Sequence, residues 1–399
     1  MPRLHARPAS RIAQGAMALI MAILLTVSVH PTALAGEATT TDPALAAAGW
    51  IALQVETDDT LGVGSLADAI FAFAAVGAGG AAAADALARI EAGLDAYVAP
   101  GGTLAAGALA KAMLAVQVQG ADPTAFGGRN LEADLRGLLI GPGPDEGRFG
   151  TASVLDQALA VLALARTAGG SPSSAVTWLV NAQCPSGEFS WDATCPAAPG
   201  SEDPDTTAIA LQALLAAGES TAADASVTWL LSIQEPGGGL PSFGLANTNS
   251  SGVAGQALRA AGETAAADAA ATFVVSLQFG CDADPAEIGA IGWAPGIPGF
   301  LIFSTPQAVL ALGAPPMDQL SAAGATDDAP TLECAAAPAP TATASPVPAS
   351  PAPSVGPGED ALPDTAADAR EAGATAGLLL AGLVLASAAV ALHRRRRAA

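Results

Sequence analysis

Residues 216–234 read AAGESTAADASVTWLLSIQ, and residues 260–278 read AAGETAAADAAATFVVSLQ, the same text displaced by 44 positions. The echo extends to the segment before each copy, because DTTAIALQALLAAG at 205–218 returns as NSSGVAGQALRAAG at 249–262. A fixed period of this length means stacked supersecondary units, none of which can bury its apolar face alone. Outward from this pair, Ala- and Leu-rich segments with apolar residues at helical spacing alternate with Gly and Pro clusters. They predict helices over 43–55 and 64–77, 81–97 and 104–118, 129–139 and 152–168, 173–183 and 205–217, 222–234 and 249–261, and 266–278 and 304–313. The expected fold is all-α, about six helical hairpins and twelve helices, in a folded domain spanning 43–334.

The first helix of each later hairpin ends on an aromatic and a glutamine: Trp178 with Gln183, Trp229 with Gln234, Phe273 with Gln278. A glycine turn with an aromatic follows, as in Gly187-Glu188-Phe189 and Pro241-Ser242-Phe243-Gly244, and Gly147-Arg148-Phe149-Gly150 holds the same place in the third hairpin. The aromatic is expected to pack over the glutamine, which would bond free N–H groups of the next helix and lock one hairpin to its neighbour.

Trp178-Leu179, Gln183 and Gly187-x-Phe189 resemble the repeat of squalene cyclases and protein prenyltransferases, whose domains are α/α toroids of inner and outer helices. The toroid also occurs in cobalamin carriers and complement thioester domains, so the resemblance implies a fold more than a chemistry. Prenyltransferases hold zinc through Asp, Cys and His. Here the only histidines are His5, His30 and His393, none between residues 36 and 371, which removes Ser-His and Cys-His nucleophiles and histidine-ligated metals from that region. The Cys-Gly-Glu-Gln of thioester domains has no counterpart, Gly280-Cys281-Asp282-Ala283 being the nearest stretch. Cyclases protonate an alkene with the middle Asp of Asp-x-Asp-Asp; Asp203 and Asp205 match its first and middle acids, and Thr206 replaces the next.

Asp156, Asp205 and Asn249 fall at equivalent starts of second helices, where Asp and Asn serve as N-caps. If second helices line the inside, as the resemblance implies, these three surround one mouth, with Gln157, Thr206 and Ser250 beside them. Lys111, the only lysine, lies in the apolar run LAAGALAKAMLAV on another second helix and must reach the rim or meet one of these acids. Polar groups over an Ala- and Leu-lined centre are what a small-ligand site looks like; a packed centre with solvated caps is the alternative.

Four cysteines fall in the same region: proximity suggests Cys184 with Cys195 and Cys281 with Cys334, an oxidised arrangement suited to an exported domain. Arg3, Arg7 and Arg11, an apolar run from Ala16 to Val29 and Ala33-Leu34-Ala35 read as a signal peptide over 1–35. Residues 335–361 form a Pro/Ala/Ser/Thr-rich stretch, an extended stalk of up to roughly 80 Å. Leu362-Pro363-Asp364-Thr365-Ala366 resembles a sortase sorting signal, with Ala where Gly is usual, and precedes an uncharged stretch over 372–392 long enough to be a transmembrane helix. The basic tail 393–399 favours the cytoplasmic side, which leaves the domain displayed outside, anchored to the membrane or, through a sortase, to the cell wall. From Gly36 to Ala361 there are 34 acidic residues against seven basic ones, an excess of 27 negative charges that argues against a nucleic acid partner.

Three functions fit: a non-catalytic binding or display module with a small ligand at the toroid mouth and no cofactor, a terpenoid cyclase-like enzyme using Asp203 and Asp205, and a structural spacer or adhesin.

Overall fold

The computed structural model of the chain describes residues 38–195, 203–242 and 244–334. Among them the fold is all-α, with twelve α-helices: α1 Pro43–Thr57, α2 Val63–Val76, α3 Gly80–Val98, α4 Ala106–Val118, α5 Leu131–Gly137, α6 Val154–Ala165, α7 Ser173–Asn181, α8 Pro204–Ala217, α9 Ser220–Ile233, α10 Thr248–Ala260, α11 Thr264–Val275 and α12 Leu301–Ala308. Every segment expected to be helical overlaps one of them. The third hairpin's first helix is shorter than its pattern, because Ile140 turns to donate to Arg148 O at 2.8 Å and Leu138 O accepts from Gly150 N. The last helix starts earlier and gives way to a 3-10 turn at Val309–Ala311; Pro306 within it has no amide to donate to the preceding turn.

The even-numbered helices pack in succession, α2 on α4, then α6, α8, α10 and α12, and α12 returns to α2, so six helices close a ring. The odd-numbered helices lie outside it, each against one or two of the six. Burial separates the two sets. In α4 every residue but Lys111 and Gln117 is buried, whereas α3 buries only Ala83, Ala86, Ile90, Leu94 and Val98, a single stripe at helical spacing. Small residues let the inner helices approach closely: a Cβ on Gly252 of α10 would strike the backbone of α12 at Gln307 and Ala308.

A repeated lock joins each unit to the next. Gly147, Gly187, Gly238 and Gly289 all have φ between +87 and +100, and a Cβ on any of them would collide with the next outer helix at Ser174, Ala225, Ala269 or Ala46. Gln183 Nε2 donates to Gly187 O and to Ala222 O, and Gln234 Nε2 to Gly238 O and Ala266 O. Gln278 Nε2 donates to Gly289 O and to Pro43 O at 2.8 Å, and this last lock closes the ring onto α1. The glutamines therefore hold carbonyls, and not the free N–H groups expected from the sequence. Trp50 Nε1 reinforces the closure by donating to Ala286 O at 2.8 Å.

Past α12 the chain turns back across the C-terminal halves of the inner helices. Pro315 O accepts from Gln256 of α10, Met317 N donates to Gln212 of α8, Met317 O accepts from Arg166 at the end of α6, Ala322 N donates to Val118 O of α4, and Thr326 N donates to Gly77 O after α2. Ala314, Met317 and Leu320 of this strap are buried against the ring. It ends in β4 Thr331–Leu332, parallel to β1 Thr39–Thr40; a second pair, β2 Leu240–Ser242 with β3 Leu245–Asn247, forms a short hairpin before α10. The cysteines pair as proximity suggested, Cys184 with Cys195 and Cys281 with Cys334, at Cα separations of 5.4 and 5.5 Å.

Among the described residues no helix is long and apolar enough to cross a membrane. The signal peptide over 1–35, the stalk over 335–361, the sorting pentapeptide over 362–366, the span over 372–392 and the tail over 393–399 lie outside the described residues.

Candidate functional site

The inner helices α2, α4, α6, α8 and α10 each carry a polar side chain of this region within their N-terminal halves, and the short α12 contributes Gln307 from its last turn. Lys111 of α4 reaches both carboxylate oxygens of Asp68 on α2 at 2.8 Å, with 17% and 15% of the two side chains exposed. Gln307 of α12 makes a long contact to Asp68 Oδ2 at 3.5 Å and accepts at Oε1 from Asn249 Nδ2 of α10 at 3.0 Å; Asn249 also donates to Phe303 O at 2.8 Å. Next along α10, Ser250 Oγ lies 3.2 Å from Asp205 Oδ2 of α8. Asp156 of α6 sits against α4 where Gly107 leaves room, since a Cβ there would overlap its carboxylate. The result is a polar girdle that links α4, α2, α12 and α10, with a second link from α10 to α8.

Two oxygens in this region are enclosed and have no hydrogen-bond partner: Asp205 Oδ1 and the hydroxyl of Tyr97, which enters from the last turn of α3. Burial, and secondarily the negative charge of Asp203, pushes the Asp205 carboxyl up to about 7, against the pull of the Ser250 hydrogen bond. Burial, followed by the charges of Asp68 and Asp156, also pushes the Tyr97 hydroxyl up. Asp203 is raised as well, chiefly by burial, though its hydrogen bonds from Thr206 oppose the rise.

Several sequence expectations need correction. The caps are Ser153, Asp203 and Asn247, whose side chains accept from Asp156 N, Thr206 N and Ser250 N; Asp156, Asp205 and Asn249 lie inside the first turn. The residues two or three positions ahead of each are equally good caps, and Asp156 instead completes a capping box by accepting from Ser153 N at 3.1 Å. Thr206 is buried beside the Asp203 cap. Gln157 is not in the girdle: its Oε1 accepts from Phe149 N and its Nε2 donates to Gly147 O and Ala175 O, so it does for the third hairpin what Gln183 does for the fourth. The partner of Lys111 is Asp68, not Asp156 or Asp205.

Asp68, Tyr97 and Gln307 were not singled out from sequence. Asp68 did carry a signal, as a lone charge in the apolar run LADAIFAFAAV, 43 positions before Lys111 and so one repeat earlier. Tyr97 is the chain's only tyrosine.

Among the described residues no group of three or more His, Cys, Asp or Glu side chains is placed to hold a metal ion. An open cleft of about 690 Å³ lies elsewhere, along the outer helix α7, with Glu146, Ser174, Thr177, Trp178 and Asn181 in its wall. Arg148 covers one face of Trp178 there, 5.5 Å from the ring centre. No protein-family model matches this chain, and no curated protein matches it.

Proposed function

We propose that this chain is an exported, surface-tethered α/α toroid of the squalene cyclase and prenyltransferase repeat type, acting without catalysis as a binding or display module. Its ligand is a small polar molecule held by the girdle at the N-terminal mouth of the inner ring, and no cofactor is assigned. The observation that carries the reading is the pair of enclosed, unpartnered oxygens, Asp205 Oδ1 and the Tyr97 hydroxyl, amid side chains that are otherwise bonded to one another. Buried polar atoms are normally satisfied, and a ligand or an ordered water is what satisfies them at a binding site. The two disulfides suit an oxidising compartment, in keeping with export and display.

A terpenoid cyclase-like enzyme is the second reading, favoured by the enclosed Asp205 carboxyl. An acid raised to about 7 is about half protonated at neutral pH, but it is a weaker donor than a free carboxylic acid, and an alkene is a very weak base. Asp203 is engaged in capping α8, and a threonine follows Asp205 where the family has a further acid. Incubation of the purified domain with polyprenyl substrates tests this alternative. No conversion is expected; conversion by the wild type and not by Asp205→Asn would replace the binding reading with the enzymatic one. A spacer or adhesin would neither convert a substrate nor retain a small molecule.

A further inference from the structure

We propose that residues 314–333 are a strap latched over the C-terminal mouth of the ring by Cys281–Cys334, and that opening this one bond lets the strap leave while the helical ring stays folded.

The ring does not need the strap to close. It is completed by α12 against α2, by Gln278 Nε2 on Pro43 O and by Trp50 Nε1 on Ala286 O, all from residues before 314. The strap contributes no helix, and its one strand, β4, is two residues long. Its hold on α10, α8 and α6 consists of the buried side chains of Ala314, Met317 and Leu320 and of single bonds from Gln256, Gln212 and Arg166 to main-chain atoms of Pro315 and Met317. With Ala322 N on Val118 O of α4 and Thr326 N on Gly77 O after α2, the bonds cross five inner helices in reverse order, so the strap can peel from its end toward α12 without breaking an inner helix. That end is held by Gly79 N, Gly80 N and Ala81 N on Asp328 O, Thr326 O and Asp327 O and by the two-residue pairing of β4 with β1, and the Cys281–Cys334 bond, spanning 53 residues of sequence, ties it covalently to the segment between α11 and α12. Any pull on the chain beyond Cys334 is therefore delivered to Cys281 and not to the strap. Cys281 is exposed, which gives a reductant access to the bond.

Opening requires an external dithiol. Its thiolate attacks one sulfur of the bond and forms a mixed disulfide; its second thiol then displaces the protein sulfur. The dithiol leaves as its own disulfide, and Cys281 and Cys334 each gain a proton and remain as thiols. What the opened strap uncovers is Gln212 and Gln256, already paired to each other at 3.2 Å, beside the seats of Met317 and Leu320.

Hydrogen exchange read by mass spectrometry on the intact protein tests the latch in the oxidised chain, the chain treated with dithiothreitol, and the Cys281→Ser/Cys334→Ser and Cys184→Ser/Cys195→Ser variants. Loss of the Cys281–Cys334 bond is expected to speed exchange at Met317, Ala322 and Thr326 by on the order of tenfold or more, with α4 and α8 unchanged. The Cys184→Ser/Cys195→Ser variant should keep the strap protected until dithiothreitol is added. Unchanged strap exchange once Cys281–Cys334 is gone, or equal loss of protection in strap and inner helices, overturns the proposal.

Discussion

Lys111 and Asp68, on neighbouring inner helices, form an ion pair at 2.8 Å in which both side chains are largely buried. The same low exposure that strengthens their attraction makes either charge costly alone. Lys111→Met and Asp68→Asn should each destabilise the fold by about 1–3 kcal/mol, less than for a fully buried pair because each side chain keeps some solvent contact. Lys111→Met combined with Asp68→Leu should recover most of that loss. Urea denaturation of the two single variants and the double variant checks this as a coupling energy.

Asp205 gives stability a pH dependence of definite sign. Its folded-state carboxyl lies at about 7 and its ordinary value is 3.8, so between these the folded state holds a proton that the unfolded state has released. Stability from this group is fully present below pH 3.8, falls as pH rises toward 7 and is constant above it. Asp205→Asn should therefore be increasingly more stable than wild type as pH rises from 4 to 7, reaching about 2–4 kcal/mol. Paired denaturation curves at pH 4.5, 6 and 8 measure the divergence, and parallel profiles would show that the carboxyl titrates normally.

The glycine locks yield a contrast between adjacent residues. Gly238 has φ +87 and faces the Ala269 carbonyl at a separation no Cβ could occupy, whereas a Cβ on Gly237 meets nothing within 4 Å. Gly238→Ala should cost about 2 kcal/mol or more, through strained backbone and a displaced α11. Gly237→Ala should be neutral or stabilising by up to about 1 kcal/mol, because it restricts only the unfolded chain. Thermal unfolding of the two variants side by side is sufficient.

The helices were legible because an outer helix such as α3 shows a single apolar stripe and an inner one such as α4 is apolar nearly all round. Repetition made the locks legible too, since Gln183, Gln234 and Gln278 recur with their glycine turns. Gln157 escaped because it reaches the same kind of carbonyls from an inner helix, a substitution in space that no sequence register displays. The strap was invisible because residues 314–333 have neither helical nor alternating periodicity and are held by bonds from side chains more than 50 residues away. At the mouth, the sequence brought Asp156, Asp205, Asn249, Ser250 and Lys111 into consideration. It could not pair Lys111 with Asp68, because that requires knowing how α2 and α4 are staggered.

Native mass spectrometry of the folded domain, purified from its own source, tests the binding reading most directly. The expected spectrum of wild type contains a species heavier than the polypeptide by one discrete small molecule, released on activation, and the adduct is weakened or lost in Tyr97→Phe and Asp205→Asn. A wild-type domain recovered only at its polypeptide mass under the gentlest conditions would contradict a ligand at the girdle and leave the ring as a spacer.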